Sequence, residues 1–432
     1  MGGHKKKRRN APVRAENKVK KIMGSLLALL IVLSYFTPEA QALRAFPQNL
    51  SISLGQTRAL HMGIPFTVSS SSDEVAVLSS GDERLNEVVL SGSTSGQTEL
   101  TFNFLGLIPF KKMQVDVRPE MRLIPGGEAL GVALQTKGVL VVGTSDLGGN
   151  AGASPARISG IKPGDVILSV ADIDITSTAH LSKVLAEIGE KQIPIRISRD
   201  EKIQALQLTP KRDSATGTYR LGAWVRDSTA GVGTLSFYDP ETGGYGALGH
   251  AITDNDTLKP LSVSEGQVLK ADIVDVRKGQ KGTPGELKGS FLREKRMVGD
   301  ITQNSVLGIY GKLSRAPEKP LYPEGLPVGL RSAVHTGPAT IISTVDAAGP
   351  KEYQIEITQV TNQNTPAPKS MVLKVTDPAL LEKTGGIVQG MSGSPILQDG
   401  HIIGAVTHVF VSDPTQGYGL YIEWMLDRLK AQ

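Results

Sequence analysis

The chain contains no cysteine. Thiol catalysis, zinc–thiolate sites and disulfide staples are therefore excluded, and 432 residues must be held together by packing alone. An apolar run of the about 20 residues that a transmembrane helix needs is also missing. The best candidate, residues 22–36, is fifteen uncharged and mostly apolar residues. No phosphate-cradling P-loop, metal-spaced His/Asp cluster or repeat of solenoid length is present, so no cofactor and no metal are expected. Net positive charge is confined to one end. Residues 1–21 hold nine Lys and Arg against Glu16, Glu39 is the one charge in residues 22–42, and the rest carries −2 although the whole chain is +5. A slightly acidic body gives no reason to expect nucleic acid as a partner.

The basic head and the short apolar run together have the form of a secretory signal: charged n-region, apolar h-region, then the small-x-small sequence Ala40-Gln41-Ala42. An uncleaved anchor is the alternative, with Tyr35 and Phe36 at the membrane interface. Both readings of residues 1–42 place the body on the far side of a membrane and leave the Lys/Arg cluster in the cytoplasm.

The body divides into three. Residues 43–119 alternate apolar and polar positions, as at Leu50, Ile52 and Leu54, and again through Glu99-Leu-Thr-Phe-Asn-Phe104. That period of two predicts a small β-sandwich. Residues 120–211 include a helix over about 178–188, on which Leu181, Val184, Leu185 and Ile188 fall on one face, flanked by strands. Residues 212–432 are short, glycine-punctuated β runs closed by an amphipathic helix, so a barrel or sandwich is expected. The fold class is mainly β.

Two short motifs carry chemistry. Gly390-Met-Ser-Gly-Ser-Pro395 resembles the nucleophile turn of a chymotrypsin-like serine protease. A hydroxyl nucleophile needs a base, and its oxyanion needs backbone N–H donors, here those of Gly390 and Ser392. Gly243-Gly-Tyr-Gly-Ala-Leu-Gly-His250-Ala-Ile-Thr-Asp254 sets an imidazole between small residues, close to backbone. His250 precedes Ser392, the order of a two-barrel protease and the reverse of an α/β-hydrolase. On spacing, the acid that orients the imidazole is Asp272 or Asp275.

Ser154-Pro-Ala-Arg-Ile-Ser-Gly-Ile-Lys-Pro-Gly-Asp165 resembles the most recognisable run of a bacterial PDZ domain. The resemblance makes Glu128, Ala129, Leu130, Gly131 and Val132 the loop that would hold a peptide carboxylate. With this PDZ segment, the His250 motif and the run from Gly385 to Ile396, the chain resembles the stage IV sporulation protein B peptidases of endospore formers. That family implies a PDZ domain ahead of a chymotrypsin-like double β-barrel. It implies a serine endopeptidase with His250, Asp377 and Ser392 as triad, secreted from the forespore into the intermembrane space. Its substrates would be a regulatory subunit of a membrane-embedded protease complex, whose cutting releases sigma-factor processing, and its own N-terminal region, whose cutting frees it from the membrane. An envelope quality-control protease and a non-catalytic PDZ scaffold are the alternatives; the first usually places the protease before the PDZ domain.

Overall fold

The computed structural model describes residues 23–25, 36–37, 41, 48–61, 66–80, 87–147, 152–200, 202–254, 256–261, 263–291 and 297–430. The basic head, most of the apolar run and the signal-cleavage position at Ala42 lie outside them. Among the described residues no helix is long and apolar enough to cross a membrane. The chain forms two compact units, residues 1–120 and 121–432.

The first unit is the expected sandwich. One sheet sets Asn49–Ser53 parallel to Ile108–Arg118, then adds Gly96–Phe104 and Phe66–Ser70 antiparallel. A second sheet joins Thr57–His61, Glu87–Gly92 and Ala76–Ser80. Alternate residues of both, among them Leu50, Ile52, Leu90, Leu100, Phe102 and Val115, are driven from water into one shared core.

The second unit is organised by one strand of sixteen residues, Ala129–Thr144. Its first half is hydrogen-bonded on both edges, to Ala223–Tyr238 on one side and to Val263–Lys270 on the other. Its second half belongs to the PDZ-like sheet and pairs with Val166–Val170. The hinge between halves is Gly138, at φ +82°, where a Cβ would lie 2.2 Å from the carbonyl oxygen of Ile167. No cut falls at 211/212, because the chain enters the thirteen-stranded sheet before residue 137, builds the segment around the helix Thr178–Ile188, and returns along Ala223–Tyr238.

This corrects the expected carboxylate loop. Ala129, Leu130, Gly131 and Val132 are strand residues inside a sheet, paired on both edges, with Leu130 and Val132 in its core. Gly131 packs against the ring of Phe291, where a Cβ would come within 2.5 Å. The Glu128 carbonyl accepts a hydrogen bond from the Leu235 N–H at 3.0 Å. Backbone already paired on both sides has no N–H left to offer a peptide terminus.

The groove itself is filled by the chain. Residues 223–226 pair antiparallel with residues 140–144, on the edge where a ligand strand would add. Leu221, Ala223 and Val225 pack into the same core as Leu181, Val184 and Leu185 of the helix Thr178–Ile188. Asp227 locks this arrangement by accepting from the N–H of Thr178 at 2.7 Å and from its hydroxyl at 3.0 Å. A fluorescent peptide with a free apolar C-terminus is therefore expected to show no saturable anisotropy change with the full chain. Micromolar binding that Val225→Asp abolishes would contradict this.

Six strands of the C-terminal part close into a barrel: Gly337–Ser343, Lys351–Val360, Met371–Val375, Asp413–Tyr421, His401–Phe410 and Pro395–Gln398. Its inward residues, including Ile341, Ile355, Leu373, Ile396, Val406 and Leu420, are buried. The helix Ile422–Leu429 seals it with Ile422, Trp424, Met425 and Leu426. The expected second barrel is instead part of a sheet of thirteen strands that runs on into the PDZ domain.

Candidate active site

Ser392 sits on the turn that leads into the barrel strand Pro395–Gln398. Gly390 and Gly393 have φ of +98° and +97°, a region that favours glycine. At Gly393 space decides as well: a Cβ would lie 2.1 Å from the Thr234 carbonyl oxygen and 2.5 Å from the Leu248 nitrogen. The turn is pinned to both lobes. Gly393 N–H donates to Val406 within the barrel at 2.7 Å, while Thr234 of the other lobe donates its N–H to the Ser392 carbonyl at 3.0 Å and its hydroxyl to the Gly390 carbonyl at 2.7 Å. The N–H groups of Gly390 and Ser392 donate to no other described residue. Two unspent donors on one tight turn are what an oxyanion requires.

His250 follows the strand Gly244–Ala247, after Leu248 and Gly249, both at φ +69°. Gly249 is pressed against the barrel, its missing Cβ 2.8 Å from Leu420 Cδ2 and 3.0 Å from Thr407 Cγ2. The His250 Nδ1 lies 2.8 Å from the Ala251 carbonyl oxygen. A carbonyl only accepts, so Nδ1 carries the proton and Nε2 keeps its lone pair for a base's work. Burial lowers the His250 pKa from its ordinary value, and the Ala251 contact opposes that only in part. The imidazole is therefore neutral at neutral pH.

The two turns meet at Thr407–His408. The Ser392 hydroxyl donates to the Thr407 carbonyl at 2.8 Å. The His250 and His408 rings are 5.1 Å apart between centroids, tilted by 40°. Burial, His250 and Lys369 together push the His408 pKa down to about 4, so this neighbour is uncharged too. Ser392 is thus hydrogen-bonded to backbone at rest, one residue from the His408 whose ring faces His250.

None of the three candidate acids reaches that imidazole. Asp377 caps the helix Pro378–Thr384, accepting from the N–H of Leu380 at 3.0 Å and of Gln354 at 3.3 Å. Gly419 is level with both Val406 and Met371. Asp377 lies six residues beyond Met371, roughly 20 Å along an extended chain. Asp275 pairs with Lys288 at 2.8 Å on an exposed strand, and Asp272 is exposed on the same strand. The tautomer-fixing contact comes instead from the Ala251 backbone, which no side-chain pattern announces.

Asparagine caps a helix about as well as aspartate. Asp377→Asn is accordingly expected to keep kcat/KM within a few-fold of wild type, measured on any cleaved peptide. Asp377→Ala removes the cap and is expected to cost about 0.5–2 kcal/mol of stability, read by chemical denaturation. A drop of about 10⁴ in kcat for Asp377→Asn, as when an orienting aspartate is lost, would restore it as the triad acid.

Residues 217–426 match the family model SpoIVB peptidase S55, and residues 151–199 match a PDZ domain. A protein of Treponema pallidum (strain Nichols) named "Putative zinc metalloprotease" is 32% identical over 71 residues, 16% of each chain. The chain thus spans about one sixth of that curated relative's length. Among solved structures, the Rv3671c protease in its inactive form is 14% identical with a TM-score of 0.28, covering 46% of this chain and 83% of that one. The active form, from M. tuberculosis, is 13% identical with a TM-score of 0.27 over 47% and 74%. Likeness at these scores does not bear on the site.

Proposed function

This chain belongs to the SpoIVB peptidase S55 family of serine peptidases, and we propose that Ser392 is its nucleophile and His250 its general base. The observation that carries the reading is the meeting of the two turns at Thr407–His408, with two free N–H donors beside the hydroxyl. In the first step Ser392 Oγ releases the Thr407 carbonyl, passes its proton to His250 Nε2 and attacks the scissile carbonyl carbon. Giving up a neutral hydrogen bond costs about 1 kcal/mol, small against the barrier. The tetrahedral oxyanion rests on the Gly390 and Ser392 N–H groups. His250 then gives its proton to the departing amine, the C–N bond breaks, and an acyl ester forms on Ser392. Water, deprotonated by the same imidazole, hydrolyses the ester. The Ala251 carbonyl holds the imidazolium through Nδ1–H.

The family and the basic, apolar start of the chain support a developmental role: an enzyme exported from the forespore, held at the membrane and freed by cutting itself. Its protein substrate would be the regulatory subunit of a membrane-embedded protease complex, whose cleavage starts sigma-factor processing. The filled PDZ groove gives that domain a supporting part, bracing the strand that leads to the peptidase lobe. The test is to purify the full chain as wild type and as Ser392→Ala and to follow N-terminal fragments by mass spectrometry. Fragments that accumulate only in the wild type are expected. The same fragments from Ser392→Ala would refute self-processing.

A further inference from the structure

Beyond the nucleophile and base, a stripe of side chains runs from His408 along the hairpin formed by His401–Phe410 and Asp413–Tyr421. His408 is level with Tyr418 across the two strands. The Tyr418 ring lies 4.6 Å from that of Phe410 between centroids. Lys369 holds its ammonium 4.7 Å above the same Tyr418 ring. Past Tyr418 an open cleft of about 720 Å³ is lined by Lys281, Val409, Phe410, Val411 and Ser412. The Lys281 loop is tied to the hairpin by the Gly282 N–H, which donates to the Val411 carbonyl at 2.8 Å.

The stripe carries two ammonium groups, those of Lys281 and Lys369. No carboxylate among the described residues pairs with Lys281 or Lys369. Asp413 at the tip of the hairpin stays ionised, its pKa lowered by hydrogen bonds from Thr415 Oγ1 and Gln416 Nε2, each at 2.7 Å, so the two ammonium groups outnumber the one carboxylate. His250 and His408 at the inner end are neutral at neutral pH. Aromatic faces flanked by two unpaired ammonium groups suit a segment with a carboxylate next to an apolar side chain.

We propose that this stripe is a substrate subsite, and that it selects a cleaved protein carrying Asp or Glu beside an apolar or aromatic residue on one side of the scissile bond. The acidic residue would lie within about five residues of the cut, since the lining reaches no further along the chain than Ser412 from Thr407, where Ser392 is held, and an extended chain covers roughly 3.3 Å per residue. The inference rests on the peptidase reading above and names its substrate class.

The full chain, as wild type and as the double variant Lys281→Glu/Lys369→Glu, would be incubated with a peptide library made from a whole proteome, and the cut sites read by mass spectrometry. Wild type is expected to enrich Asp or Glu at one position within five residues of the cut; the double variant is expected to lose that enrichment and favour Lys or Arg there. No acidic enrichment in the wild type, or the same enrichment in the variant, would overturn the proposal. A second measurement does not need turnover. Full-chain Ser392→Ala would be titrated with a fluorescein-labelled peptide of Glu and Phe and with its Lys and Phe counterpart. About tenfold tighter binding of the acidic peptide is expected from two exposed ion pairs, shrinking as salt rises. Equal affinities would overturn the subsite even if Ser392 reacts as proposed. Acid preference without any reaction at Ser392 would instead refute the nucleophile and leave the subsite standing.

Discussion

Ser392→Ala lowers kcat/KM on any cleaved peptide by about 10⁴ or more, as loss of the nucleophile does in other serine peptidases. The fold should be untouched. The hydroxyl makes one hydrogen bond, to the carbonyl of the buried Thr407, and leaving that acceptor unpaired costs about 1–3 kcal/mol, too little to unfold a domain of this size. Residual cleavage is expected, because the Gly390 and Ser392 N–H groups still polarise a bound carbonyl. Steady-state kinetics together with a thermal melt separates the two effects. Full activity in Ser392→Ala would remove the peptidase mechanism; a collapsed melt would show the turn to be structural instead.

His250→Gln is expected to lose about as much, since nucleophile and base act as one unit. The wild-type pH profile adds a sharper check. The base works only when neutral, so kcat/KM rises with pH through the His250 ionisation and then stays level. Burial lowers that ionisation in the folded protein. The rise is therefore expected below the ordinary imidazole range near pH 6.5, with the plateau reached by about pH 7. His408 titrates lower still, at about 4, and so does not shape the rise near neutrality. A midpoint above 7 would mean that a carboxylate faces the imidazole after all.

How much of this was legible in the sequence differs from residue to residue. The tight turn at 390–393 was, because glycine at 390 and 393 answers a backbone demand for positive φ. The sandwich of residues 43–119 was too, since a period of two survives translation into a half-buried sheet. The carboxylate loop was misplaced at Glu128 to Val132 because a Gly-flanked apolar run reads alike as a loop or as a strand buried on both edges. What separates them is Phe291, about 160 residues away, which fills the space over Gly131. Asp377 was legible as a polar residue before Pro378, and that pair is as much a helix start as an acid. The Ala251 carbonyl that fixes the His250 tautomer has no side-chain signature at all.

The central claim is that residue 392 is an activated alkoxide source and residue 250 activates it. Full-length protein, as wild type and as His250→Gln, should be treated with a fluorophosphonate, digested, and the adduct mapped and timed by mass spectrometry. One adduct is expected on Ser392 in the wild type, forming at least about 100-fold more slowly in His250→Gln, in line with the contribution of a general base. An adduct on another residue, or equal rates in the two proteins, would contradict the account.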